Sequence, residues 1–292
     1  MLQNNISYKT SVAQKPTILA LFDWDGCMSK FDLGRDFLSE DVLGLSKEEF
    51  ERRVMDMRQQ PFAFDPYYTN GSYSSGDELA IMLIEKGAYK ERVVKIGMEN
   101  LKKLEREGSE ILRKGAKEVV ETISLYGKPV ISSAGIKDLL QPIVRRCFPN
   151  CDNIVVIGTE ILTDERGRYV SIIKPNGQAN KPNNLLHELN NGYPLLIAVG
   201  DGVTDEELFK AVKERGGFTI GMGNRIKGDI NYMGEDFWGV GAAIDMYAIF
   251  AGFPLPYLHK TIYDNQEEME MGSFRPYSVA GRKVYQLIKS YF

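Results

Sequence analysis

Apolar residues along the chain fall into short runs separated by amphipathic stretches. Residues 17–22 (TILALF), 128–132 (KPVIS), 153–157 (NIVVI), 194–199 (PLLIAV) and 217–220 (GFTI) are too short for helices and read as buried strands. Between them, 115–125, 136–147, 181–189 and 205–215 have the spacing of helices. Strands that alternate with helices in this way predict an α/β chain, a parallel sheet with helices on both faces.

One segment breaks the rhythm. From 30 to about 114 there is almost no strand signal, but charged amphipathic runs lie at 46–59, 76–86 and 91–113. This predicts a mostly helical insertion between the first and second core strands. Residues 159–174 read as a hairpin turning at 165–167. The polar start, 1–15, is expected to fray. The aromatic tail, 252–292, opens with Pro254 and Pro256 and is expected either to wrap the core or to meet a partner.

Composition narrows the class. The chain has 292 residues, 43% hydrophobic and 26% charged, which suits a soluble globular core carrying an inserted module. A net charge of -4 speaks against a nucleic-acid binder, which needs a concentrated basic surface. Three cysteines, Cys27, Cys147 and Cys151, fit a reducing compartment, and Cys147 with Cys151 lacks the second pair that a zinc site needs. No apolar run is long enough to span a bilayer, and no signal core opens the chain. The expectation is a cytoplasmic protein with neither membrane nor nucleic acid as partner.

The chemistry is sought just beyond the end of each strand, because ligands of an open parallel sheet bind outside the carboxyl ends of its strands. After the first strand comes Asp23-Trp24-Asp25-Gly26. After the second comes Ser132-Ser133-Ala134-Gly135, and after the fourth comes Gly200-Asp201-Gly202-Val203-Thr204-Asp205. Four carboxylates and a hydroxyl therefore converge on one edge. Crowded carboxylates repel unless a cation neutralises them, and Mg²⁺ prefers such oxygen ligands. Glycines such as Gly135 and Gly202 let backbone amides approach a phosphate bridging to that metal. Neither histidine, His187 or His259, comes after a core strand, so Ser/His or Cys/His chemistry has little support. Carboxylate attack on phosphorus remains, with Asp23 and Asp25 two apart on an extended strand and facing the same way.

Asp23-Trp24-Asp25-Gly26, Ser133, Lys181 and the run from Gly200 to Asp205, in that order, resemble the four motifs of the haloacid dehalogenase superfamily. The form of the last motif, and a helical insertion directly after the first, resemble its phosphoserine phosphatase-like branch. The resemblance implies a Rossmann-like core at 1–29 and 115–292 with a helical cap at 30–114. It implies Asp23 as nucleophile and Asp25 as general acid/base. Mg²⁺ would then be held by Asp23, Asp201 and the backbone carbonyl of Asp25. Ser133 and Lys181 would grip the phosphoryl oxygens, and Asp205 would orient the lysine. Lys174 is the alternative lysine, and Ser132 the alternative serine.

The expected activity is hydrolysis of a small soluble phosphomonoester through an aspartyl-phosphate. The alternatives are a phosphotransferase or mutase with the same intermediate, and a non-catalytic binder of a phosphorylated ligand. Asp32 falls where phosphoserine phosphatases carry a glutamate for the substrate's amino group. Ser133-Ala-Gly-Ile also resembles pyrimidine 5′-nucleotidases of the same superfamily. Trp24 is expected to pack and Cys27 to be a small buried residue. Arg58, Tyr67 and Tyr68 are candidates to line the substrate pocket.

Overall fold

The computed structural model describes residues 17–59 and 76–265, with the backbone of 274–275. Strand β1 (Ile18–Phe22) is buried at every position, and its side chains divide by parity. Ile18, Ala20 and Phe22 join one apolar cluster, while Leu19 and Leu21 join a second on the opposite face. The two-residue period of a strand forces this division, and a continuous apolar run is what a strand between two helical layers requires.

The other strands are β2 (Gly127–Ile136), β3 (Val155–Thr163), β4 (Tyr169–Lys174), β5 (Leu195–Gly200), β6 (Phe218–Met222), β7 (Ile230–Tyr232) and β8 (Phe274–Arg275). They lie in the order β4-β3-β2-β1-β5-β6-β7-β8. Pairing is parallel from β3 through β7 and antiparallel at the two edges. From β1 the chain moves outward through β2 and β3, then returns to the other side of β1 through β5, β6 and β7. That reversal makes the carboxyl end of β1 the switch point, where the flanking connections diverge and leave a crevice.

Between β1 and β2 the described residues form helices α1 (Leu33–Phe37), α2 (Lys47–Arg58), α3 (Glu78–Glu85) and α4 (Lys90–Arg106), with a π-helical turn at Ser39–Leu43. A capping box starts α2: Ser46 Oγ accepts from Glu49 N at 3.2 Å, and Glu49 Oε2 accepts from Ser46 N at 2.8 Å. Helix α3 is buried along its whole apolar run. Helix α4 buries only Val93, Gly97 and Leu101, the four-residue spacing of a single helix face.

The remaining helices are α5 (Ala116–Ser124), α6 (Lys137–Cys147), α7 (Lys181–Asn184), α8 (Leu186–Leu189), α9 (Glu206–Lys213), α10 (Trp238–Phe250) and α11 (Pro256–Asp264). Apolar residues of α5, α6, α10 and α11 fill the first cluster, and those of α8 and α9 fill the second. Two ion pairs tie α4 to α6: Arg146 with Glu105 at 2.7 Å, and Lys90 with Asp138 at 2.7 Å.

Four details depart from the sequence reading. Residues 132–135 lie within β2 rather than after it, and the pairing with β3 shifts between Ser132 and Ile136. The helix expected over 91–113 ends at Arg106, where the chain turns at Gly108 with φ of 77°. Residues 181–189 form two separate turns, α7 and α8, not one helix. Helix α10 was not expected, because it is buried on nearly every side and has no polar stripe to betray it. Of the two courses expected for the tail, the described part takes the one along the core: 256–264 forms α11, which packs on α5 and α10. Residues 1–15 and the aromatic run containing Tyr67 and Tyr68 lie outside the described residues. No helix among the described residues is long and apolar enough to cross a membrane.

Candidate active site

Asp23 comes directly after β1, and its N–H donates to Val199 O at 2.9 Å, extending the ladder with β5 by one rung. The side chain is thereby delivered to the switch point. Lys181, at the start of α7, reaches it from the second helical layer: Nζ lies 2.7 Å from Asp23 Oδ1 and 2.6 Å from Asp205 Oδ1. Lys181 is 0% exposed. Asp205 also accepts through Oδ2 from the N–H groups of Asp201, at 3.2 Å, and Gly202, at 3.4 Å. The loop after β5 is thus folded around the carboxylate that holds the lysine.

Asp25 turns toward β2 instead. Its Oδ2 accepts from Ser133 Oγ at 2.8 Å and its Oδ1 from Leu33 N, at the start of α1, at 2.8 Å. Ser133 Oγ accepts in turn from Gly135 N at 2.9 Å. A Cβ on Gly135 would lie 2.7 Å from Leu33 Cδ1 and 3.1 Å from Ser133 Oγ, so any larger residue would make both side chains shift. Ser132 faces the other way and accepts from the buried Asn176 Nδ2 at 3.2 Å. The geometry therefore distinguishes the two serines, and it distinguishes the lysines too: Lys174 is half-buried on the hairpin, 3.9 Å from Glu160.

Electrostatics follows from burial. Desolvation pushes Asp23 well above the ordinary carboxylate range, Asp205 adds to this, and Lys181 opposes it. Asp201 is raised by burial, with Arg225 opposing. For Lys181, burial works against the charge, but Asp205 and Asp23 outweigh it and hold the ammonium more firmly protonated than usual. Asp25 is pushed up to about 8 by burial and by Asp32, while the bonds from Leu33 and Ser133 pull the other way. A carboxyl in that range is protonated near neutral pH and able to give its proton to a leaving group.

One oxygen each from Asp23, Asp201 and Asp205 lies within 4.8 Å of the other two, all three residues being buried. One buried ammonium does not balance three carboxylates, and the donors are all hard oxygens. The set fits a hard divalent cation. It is made of Asp23, Asp201 and Asp205; the side chain of Asp25 is engaged elsewhere, so its place in the expected metal set rests on its backbone carbonyl.

Above these groups opens a cavity of about 670 Å³, floored by Asp23, Asp25 and Asp201 and walled in part by α1, α2 and α3. Asp32 lines it and caps α1 by accepting from Arg35 N at 2.7 Å. Arg58 lines it too, paired with Glu78 at 2.9 Å. Trp24 is fully buried in the first apolar cluster, as is Cys27. His187 lies on α8, and His259 pairs with Asp245 at 2.8 Å; neither lines the cavity.

The fold has known counterparts among solved structures. A phosphoserine phosphatase in apo form superposes with a TM-score of 0.53 at 15% identity, covering 77% of this chain and 98% of that one. A phospho-aspartyl intermediate analogue of phosphoserine phosphatase gives 0.53 at 15%, covering 78% and 98%. The chain has the haloacid dehalogenase fold. A gene product of Archaeoglobus fulgidus matches with a TM-score of 0.59 at 13% identity over 94% of this chain and 95% of that one. No family model matches the sequence, and no curated protein matches it. Identities this low establish the fold and leave the chemistry to be argued from the site.

Within the haloacid dehalogenase fold, the sequence reading overlooked Arg225. Its guanidinium pairs with Asp201 Oδ2 and lines the cavity. A signal was available. Arg225 lies a few residues beyond the strand expected at 217–220, at the same carboxyl edge as the other motifs, but the motifs singled out from the sequence ended with the loop after β5. The Leu33 N–H on Asp25 was also missed, and nothing in residue identity reports a backbone donor.

Proposed function

We propose that the chain is a Mg²⁺-dependent phosphomonoester hydrolase of a small soluble metabolite, working through an aspartyl-phosphate on Asp23. The reading rests on one observation above all. Lys181, Asp23 and Asp205 share a buried hydrogen-bonded cluster at the switch point, beside the Ser133–Asp25 bond. A pure binding site has no need of a second carboxyl whose pKa is pushed to about 8.

In the first half-reaction an Asp23 oxygen bonds to phosphorus as the ester P–O bond breaks. Asp25 gives its proton to the departing alkoxide. In the second half, Asp25, now ionised, takes a proton from water. The water oxygen bonds to phosphorus, the Asp23–phosphorus bond breaks, and inorganic phosphate leaves. Lys181 favours the ionised form of Asp23 and orients it, and Ser133 positions Asp25 and then the phosphoryl oxygens. Asp23, Asp201 and the carbonyl of Asp25 would hold Mg²⁺, with Asp205 within reach; the chemistry it supplies when bound is neutralisation of the phosphoryl charge.

Residues 30–114 act as a cap over the core formed by 1–29 and 115–292, and the contribution of α1, α2 and α3 to the cavity wall supports this division. A lid of this kind keeps water from the aspartyl-phosphate until the alcohol has gone. The cavity suits a small soluble substrate, and we place the protein in the cytoplasm, without nucleic acid or membrane as partner.

The test is phosphate release with Mg²⁺ from phosphoserine, phosphoethanolamine, nucleoside monophosphates and sugar phosphates. Asp23→Asn should lose about a thousandfold or more in kcat. Full activity in that variant removes Asp23 as nucleophile. Transfer of phosphate to added alcohols in preference to water would mark a phosphotransferase instead.

A further inference from the structure

The carboxylates of the site meet two cations from the chain itself, and the two are held differently. Lys181 is locked between Asp23 and Asp205 inside the protein. Arg225 pairs with Asp201 from outside, and its side chain is 69% exposed. Among the contacts of the described residues, Asp201 is the ion-pair partner found for this guanidinium.

The oxygen that Arg225 takes is the informative detail. Gly26 comes directly after Asp25 and has φ of 75°; a Cβ there would lie 2.6 Å from Asp201 Oδ2 and 3.4 Å from Arg225 Nη2. Asp201 Oδ2 therefore faces the Asp23–Gly26 turn. In the reading proposed above, that is the side from which a cation shared by Asp23, Asp201 and the carbonyl of Asp25 must be held. A guanidinium and a divalent cation on one carboxylate oxygen repel each other, and both seek the same lone pairs.

We infer that Arg225 and the divalent cation compete for Asp201, so that metal binding releases the guanidinium into the mouth of the cavity. The inference rests on the proposed metal role of Asp201. The opposite arrangement is a guanidinium that steadies a metal-ligating carboxylate from behind, as outer partners often do. It predicts the opposite sign. A steadying partner belongs on the oxygen turned away from the metal, and Arg225 is on the one that faces the Asp23–Gly26 turn.

Titration calorimetry of wild type and Arg225→Gln with MgCl₂ and MnCl₂ reads the sign directly and needs no substrate. Competition predicts that Arg225→Gln binds either ion roughly two- to fivefold more tightly, the scale of a lost exposed ion pair. Arg225→Lys keeps the charge but loses the fork, and should fall between the two. In parallel, the ¹⁵N–¹H signal of the Arg225 Nε, assigned by its loss in Arg225→Lys, should move toward the position of a free guanidinium as metal saturates.

Equal or weaker metal affinity in Arg225→Gln overturns the inference, as does a guanidinium signal that ignores saturating metal. Failure of both proteins to bind any divalent ion overturns the inference and the metal reading together. Hydrolysis of no substrate, with the affinity difference intact, counts against the proposed activity alone.

Discussion

Lys181 and Arg225 face carboxylates of the same site from opposite sides, and burial makes them different devices. The inner cation has no water to fall back on, Asp205 has none either, and Asp23 meets it only at the cavity floor. Removing one member strands the others in a medium that cannot solvate them. The outer cation keeps most of its hydration, so its bond to Asp201 contributes little and exchanges easily. The inner wall is therefore built to hold the nucleophile still, and the outer rim to let charge come and go. A site that handles a metal and a phosphate ester needs both properties.

The largest effect that could break this contrast is on stability. Lys181→Met, measured by urea unfolding at pH 7 in EDTA, should lose about 3–5 kcal/mol, the usual result of orphaning a buried charge partner. Arg225→Gln under the same conditions should lose about 1 kcal/mol or less. Comparable losses from the two would mean that the rim is as fixed as the wall.

A second test uses the metal itself. Ligand bound only by the folded state adds stability by mass action, about 2.7 kcal/mol at a hundred times Kd. Wild type should gain on that scale when Mg²⁺ is added, and Asp201→Asn should gain almost nothing. A full gain in Asp201→Asn would move the cation away from the rim and leave Arg225 with nothing to compete against.

What sequence could tell about these two walls was unequal. The central strands were legible because β1 and β5 lie between helical layers and so read as unbroken apolar runs. Asp23, Asp25, Asp201 and Asp205 were legible because each lies just beyond such a run, where an α/β sheet presents its ligands. The serine pair was legible by its place after the second apolar run, but the choice of Ser133 over Ser132, and Lys181 itself, came from order and resemblance, since a lysine before a proline carries no local signal. Helix α10 was hidden by burial on all sides, and Arg225 by the shortness of β6 and the polar loop after it. The rim was read less well than the wall because an exposed arginine is what most exposed arginines look like.

A smaller effect sharpens the inner wall. Burial, first, and Asp32 raise the pKa of Asp25 to about 8, while the Ser133 hydroxyl lowers it by bonding to the ionised form. Asp25 must be protonated to release the alcohol, so the phosphorylation step should slow as pH rises through that pKa. A bound divalent cation favours the carboxylate and moves the limb down. Ser133→Ala removes a bond to the carboxylate and should move it up. Rapid-quench measurement of the phosphorylation step across pH 6–9 checks the direction; a limb that moves down in Ser133→Ala would separate Ser133 from the proton of Asp25.

The smallest effect lies farthest from the chemistry, in the helices beside the cavity. Burial acts against ionised Asp36, but the bonds it accepts from Arg35 and from Lys47, at 2.9 and 2.7 Å, outweigh this and hold its carboxyl below the ordinary range. A carboxyl with a lowered folded pKa contributes stability above its unfolded pKa of about 3.9 and loses it as pH falls through the folded value. Lys47 is about half exposed, so its share is screened. Lys47→Met should therefore lose about 0.5 kcal/mol or less at pH 7 and nothing once Asp36 is protonated. Urea midpoints at pH 7 and near pH 2.5 read the difference. If the loss persists at the lower pH, packing of the lysine stem and not its charge holds α1 to α2, and the easy exchange ascribed to exposed pairs does not extend beyond the rim.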